Sequence, residues 1–242
     1  MKIGILETGE VHEALVEKYG DYPSMFVKLL HEKSPETTFF IIRVCANEPL
    51  GNPDAADGWI VTGSRHGVYD DLPWIEPLKD FLRQSIAKKI PVAGICFGHQ
   101  ILAEAMGGKA EKSSKGWGLG IQKYQTEDAP NWMSGMSDGF SGHALHQDQV
   151  TQLPPNTTVI AKSDFCEFAA LAYGDPENPD AISVQPHPEF SSDFVNDLID
   201  VRLSGIIPED VEKQARNSLG QQVHNKEWGG WINQFLAMAA RK

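Results

Sequence analysis

Four short apolar runs rich in β-branched residues alternate with stretches whose apolar residues recur at helical spacing. The runs are KIGILET (2–8), TTFFIIRVCA (37–46), GWIVTGS (58–64) and PVAGIC (91–96). Between and after them lie PSMFVKLLHEKS (23–34), WIEPLKDFLRQSIAKK (74–89) and GHQILAEAMGG (98–108), with Pro23 and Pro77 in first turns and glycines closing the last. A strand followed by a helix and another strand is the signature of a parallel crossover. Runs this continuously apolar must also be covered on both faces. The first half of the chain therefore predicts a three-layer α/β fold around a mostly parallel sheet.

After Gly108 the texture changes to short strand-like pieces: GLGIQKYQT (118–126), HALHQD (143–148), TVIAKS (158–163), CEFAALAYG (166–174) and AISVQPH (181–187). We expect these to extend the sheet in antiparallel fashion. Helical spacing returns in 191–205, 208–219 and 228–242. With 242 residues there is enough chain for one such domain. Residues 1–190 are expected to form it, and 191–242 a C-terminal helical extension packed on the same domain.

Charge and cysteine usage narrow the function. Against 33 Asp and Glu stand 21 Lys and Arg, a formal charge of −12, and no basic cluster tracks a phosphate backbone, so no nucleic-acid partner is expected. The opening MKIGILETGE lacks the apolar stretch of a signal peptide, and no run reaches the roughly 18–20 apolar residues of a membrane span. A cytoplasmic protein without membrane contact is the expectation. The three cysteines, Cys45, Cys96 and Cys166, are far apart and form no C-x-x-C pair, which disfavours a disulfide framework and a structural zinc site. Cys45 and Cys166 read as core residues.

Cys96 is different. In GICFG it ends a buried strand, with Gly94 and Gly98 two residues away on either side. Small neighbours let the chain make a tight turn that exposes a nucleophile. A thiol there would face a helix amino terminus, whose partial positive charge favours the thiolate. The N–H of Phe97 would point at an oxyanion formed beside the sulfur. Taken alone, the stretch fits a core cysteine in a glycine-flanked turn equally well. In VQPHPEF (184–190), His187 and Glu189 are two apart on an extended, proline-stiffened segment and so project to one side. Glu189 can take the Nδ1 hydrogen and leave Nε2 to face a thiol. At the end of the strand in WIVTGSRHG (59–67), Gly63 can offer a second backbone N–H to the oxyanion.

Together these stretches resemble the triad type of class I glutamine amidotransferase. The glycine–x–cysteine–x–glycine–x–glutamine run of that family stands here as GICFGHQ, its histidine–proline–glutamate as HPE, and its oxyanion-loop glycine as Gly63. The resemblance implies a flavodoxin-like sheet with Cys96 as nucleophile, His187 as base and acid, Glu189 as its orienter, and the N–H groups of Gly63 and Phe97 as the oxyanion hole. It also implies that Gln100, with His146, Gln147 and Asp148 of LHQDQV, holds the amino-acid end of the substrate, although Gln147 stands where the family carries glycine. The stretch from His187 to Leu219 resembles the free-standing branch similar to the amidotransferase domain of GMP synthase, which includes plant γ-glutamyl peptidases.

The implied substrate is a small molecule, glutamine or a γ-glutamyl compound, cleaved through a Cys96 thioester without metal or organic cofactor. No synthase domain is expected after Lys242, so ammonia would pass to a separate synthase subunit, or the γ-glutamyl amide would simply be hydrolysed. Two other readings compete with this one. His143, His146 and Asp148 with His66 and His99 could be imagined as metal ligands, but His-x-x-His-x-Asp on a strand does not put all three side chains on one face. A binding or regulatory protein could keep the fold without the activity. The tryptophans of WGGWINQFL are expected to pack the last helix onto the domain, the alternative being a homodimer face.

Overall fold

A computed structural model of the protein describes residues 1–126, 129–135 and 139–239. The first strand, β1 (Lys2–Glu7), is followed by α1 (Glu13–Tyr19), α2 (Tyr22–His31), β2 (Thr38–Arg43), β3 (Gly58–Val61), α3 (Ile75–Ala87), β4 (Val92–Ile95) and α4 (Phe97–Ala105). Next come β5 (Lys109–Lys112), β6 (Gly118–Tyr124), β7 (Phe140–His146), β8 (Asp148–Gln152), β9 (Thr157–Ala161), β10 (Ala170–Tyr173) and β11 (Ala181–Val184). The chain closes with α5 (Ser192–Leu198), α6 (Glu209–Ser218) and α7 (Asn225–Ala239).

Seven strands form one sheet in the order β2-β1-β3-β4-β11-β10-β9. The first five are mutually parallel, and β10 runs antiparallel to both of its neighbours. Successive side chains of a strand point to opposite faces. Ile60 accordingly joins the core on one side of β3, beneath Phe26 and Leu30 of α2 and Trp228, Ile232 and Phe235 of α7. Trp59 and Val61 join the other, with Leu78, Phe81 and Leu82 of α3 and Ile101 and Leu102 of α4. Both faces of the sheet are thus apolar, which explains the uninterrupted runs in the sequence.

The pieces after Gly108 are divided in a way their spacing does not show. Only β9 and β10 extend the main sheet in the antiparallel sense, while β11 inserts parallel to β4 in its middle. Strands β6 and β7 pair with each other in a separate ribbon, as do β5 and β8. The second apolar run stops being a strand at Arg43. Val44–Ala46 turn through a 3₁₀ step ending at Asn47 (φ 62°), which leaves Cys45 half-buried instead of in the core. Cys166 is fully buried, in a turn whose Ser163 hydroxyl accepts its N–H at 3.0 Å.

Helix α5, capped by the Ser191 hydroxyl on the Phe194 N–H (3.1 Å), continues into a π-helical turn over Ile199–Leu203. In α7, Trp228 and Trp231 are buried, with the Trp228 ring 5.1 Å from that of Phe140. The expected end of this helix, 240–242, lies outside the described residues. Among the described residues no helix is long and apolar enough to cross a membrane.

Candidate active site

In an open parallel sheet, ligands bind beyond the carboxyl ends of the strands. Three neighbouring strands end together here: β3 leads to Gly63, β4 to Cys96 and β11 to His187. Cys96 has φ 53° and ψ −102°, a conformation that costs a non-glycine residue roughly 1–3 kcal/mol, and its N–H is held by the Val184 carbonyl at 2.9 Å. The flanking glycines permit the turn by close approach. A Cβ on Gly94 would lie 2.4 Å from the Gly98 carbonyl oxygen, and one on Gly98 2.3 Å from that of Val61. Backbone fills both spaces. Gly98→Ala should therefore destabilise the protein by about 2–3 kcal/mol, measured by urea unfolding; a loss below about 0.5 kcal/mol would show that the elbow is not this tightly set.

His187 sits three residues past β11. Its N–H donates to the His143 carbonyl at 2.8 Å, its ring stacks on Phe190 at 4.0 Å and 5°, and Nδ1 lies 2.7 Å from Glu189 Oε1. Both side chains are almost wholly buried, at 4% and 1% exposure. Burial by itself drives the imidazole pKa down, and it does so at His99 (to about 3), His143 (about 4) and His146 (about 4). At His187 the same burial is outweighed by the charge of Glu189, then by that of Cys96 and by hydrogen bonds to both, and the pKa rises to about 10. Of these four buried imidazoles, only His187 has its pKa raised instead of lowered. Its Nε2, with no other hydrogen-bond partner among the described residues, is turned to Cys96.

Gly63 closes the group. A Cβ there would lie 2.8 Å from His187 Cε1 and 3.7 Å from Cys96 Cβ. The peptide unit before it is fixed from below, where the buried Thr8 hydroxyl donates to the Thr62 carbonyl at 2.9 Å. In a trans peptide the Gly63 N–H points the opposite way. The N–H of Phe97, first residue of α4, is one of the donors a helix leaves free at its start.

These groups open into a cleft of about 330 Å³ that Gln100, His146, Gln147 and Asp148 also line. Gln100 is tethered within it, since Nε2 donates to the Asp148 carbonyl (2.9 Å) and to Gln185 Oε1 (3.2 Å). His146 likewise spends Nδ1 on the Asp148 carbonyl (3.0 Å). Burial raises the pKa of the Asp148 carboxyl, which interacts with the Tyr69 hydroxyl. The remaining histidines are dispersed. His99 meets the Ser183 hydroxyl at 2.8 Å, His143 that of Ser192 at 3.1 Å, and His66 the Asp70 carboxylate at 3.3 Å. Among the described residues no three His, Cys, Asp or Glu side chains are grouped to hold a metal.

Residues 16–197 match the family described as glutamine amidotransferase class-I. The chain belongs to that family. Within it, this class I amidotransferase chain is 31% identical over 199 residues to γ-glutamyl peptidase 4 of Arabidopsis thaliana, covering 77% of this chain and 75% of the relative. To the glutamine-hydrolysing GMP synthase subunit of Methanopyrus kandleri it is 34% identical over 182 residues, covering 72% and 82%. The solved glutamine amidotransferase of Methylobacillus flagellatus superposes with a TM-score of 0.77 at 21% identity, covering 100% of this chain and 94% of that one, a likeness of fold.

Several lining or supporting residues of this amidotransferase cleft escape a reading by motif. Phe190 stands inside the HPEF stretch, where a ring next to a histidine was the available signal. Thr8 ends an apolar strand and could have been noticed as a polar residue in a buried run. Tyr22, Trp117, Arg202 and Leu203 line the cleft from distant parts of the chain, with no spacing to mark them.

Proposed function

We propose that the protein hydrolyses the γ-glutamyl amide bond of glutamine or of a γ-glutamyl compound through a thioester on Cys96. The observation that carries this reading is the relay of Cys96 on a strained elbow, His187 turned to it through Nε2, and Glu189 on Nδ1 at 2.7 Å. The Cys96 thiolate attacks the γ-carbonyl carbon, and the oxyanion is received by the N–H groups of Gly63 and Phe97. One such donor is typically worth about 10²–10³ in rate. The His187 imidazolium gives its proton to the departing ammonia or amine. The resulting neutral imidazole then takes a proton from water as that water attacks the thioester, releasing glutamate and freeing Cys96. The glutamyl end lies along His146, Gln147 and Asp148, kept in place by Gln100.

The likeness to a protein named as one subunit of GMP synthase supports delivery of ammonia to a separate synthase chain. The likeness to γ-glutamyl peptidases supports a self-contained peptidase, and the size of the cleft favours the latter, because release of ammonia needs little room beyond the glutamyl group. The test is steady-state release of ammonia from glutamine and of free amine from γ-glutamyl dipeptides. We expect Cys96-dependent turnover with the dipeptides ahead of glutamine. No turnover of either kind would overturn the hydrolase reading, and glutamine well ahead of every dipeptide would favour the ammonia-delivering form.

A further inference from the structure

In the hydrolase reading the glutamyl group lies along His146, Gln147 and Asp148, which line the cleft together with Cys96 and His187. Tyr22, Phe190, Leu198, Arg202 and Leu203 also line it. The charge of Arg202 acts on the Tyr22 hydroxyl, so these two cleft-lining residues are near each other. Lys112, by contrast, lies opposite Asp148 across the β5–β8 pair, at the glutamyl end. Three Lys or Arg side chains, Arg65, Lys112 and Arg202, line the cleft, and of these Arg202 is the one that acts on Tyr22. Glutamine would have a use for the glutamyl end only, since its leaving group carries no charge to recognise.

The Arg202 end has a built character. Arg202 stands in the π-helical turn Ile199–Leu203, and Leu198, Arg202 and Leu203 all line the cleft. Such turns are rare and occur often at functional sites. The segment lies beyond residue 197, where the family match stops. In this chain of net charge −12, Lys18, Arg83, Lys89 and Arg216 are each held by a carboxylate. Arg202 has no carboxylate partner among the described residues. Its guanidinium, in a cleft also lined by Tyr22, Leu198 and Leu203, is a fork suited to a carboxylate.

We propose that this end of the cleft is the leaving-group subsite and that Arg202 makes it selective for amines bearing a free carboxylate, as the second residue of a γ-glutamyl dipeptide does. The inference rests on the γ-glutamyl hydrolase reading above. It is tested with γ-glutamylglycine, the same compound with its terminal carboxylate replaced by a carboxamide, and glutamine, each assayed on the wild type, Arg202→Gln, Arg202→Lys and Cys96→Ala. The wild type should prefer the carboxylate over the carboxamide by about 10–100-fold in kcat/KM, the range for a charge-assisted pair. Arg202→Gln should bring that ratio close to one, and Arg202→Lys should restore part of it; a merely structural role for Arg202 would lower both rates and leave the ratio alone. Equal rates on the two compounds in the wild type, or a ratio unmoved in Arg202→Gln while turnover still depends on Cys96, overturns the subsite assignment alone. Absence of Cys96-dependent turnover on all three compounds overturns the hydrolase reading and this assignment with it.

Discussion

Cys96→Ala should lower γ-glutamyl hydrolysis on the order of 10⁶-fold, the scale on which removal of the nucleophile acts in triad hydrolases. Neither of the other two cysteines can take over. Cys166 is fully buried in a separate turn, and burial raises its thiol to a pKa of about 12. Cys45 lies on the β2 side of the sheet, and burial and nearby acids raise it to about 11. Alanine keeps the Cβ and the strained backbone of the elbow, so only the sulfur is lost, and the melting temperature should move by no more than a few degrees. Steady-state assay beside a thermal melt gives both numbers. A variant that is folded and retains a tenth of wild-type turnover would remove Cys96 from the mechanism.

The second large effect is expected at Glu189. An amide at this position can still accept a hydrogen bond from Nδ1, but it brings no charge to offset the burial of an imidazolium. In triads of this kind, the orienting acid changed to its amide costs about 10⁴-fold in kcat. The pH dependence separates this role from a structural one. Because Glu189 is the largest influence raising the His187 pKa to about 10, its neutralisation must lower that pKa. The protonated form that delivers a proton to the leaving group is lost as pH rises through the His187 pKa. The alkaline limb of kcat/KM, high in the wild type, should therefore move toward neutral pH in Glu189→Gln. A variant with reduced activity but an unmoved alkaline limb would mean that Glu189 acts only by holding the loop in place.

Each prediction concerns a pattern contained in one short stretch of chain, and that is why both patterns were legible. Gly94, Cys96 and Gly98 span a single turn, and the need for a small residue on either side is a local steric demand. His187 and Glu189 are i and i+2 on an extended segment, so backbone geometry alone puts them on one side. Buried parallel strands also announce themselves, because each must be apolar on both faces. The helical amphipathicity of 74–89 and the glycine closure of 98–108 are likewise properties of short stretches.

What the sequence by itself determined is therefore the class of fold, the tight glycine-flanked turn at Cys96 and the His187–Glu189 couple. Only the tertiary structure decided that β11 enters the sheet beside β4, which carries His187 to the end of the strand bearing Cys96 across about ninety residues of chain. It alone placed Gly63 against His187, hung the Gly63 peptide from Thr8, tied Gln100 to the Asp148 carbonyl, and brought Tyr22 and Arg202 to the far side of the cleft. The reason is physical. Local periodicity reports which face of an element is buried, whereas the order of strands depends on which of many similar apolar faces meet after long loops have closed. That choice is settled by packing summed over the whole core.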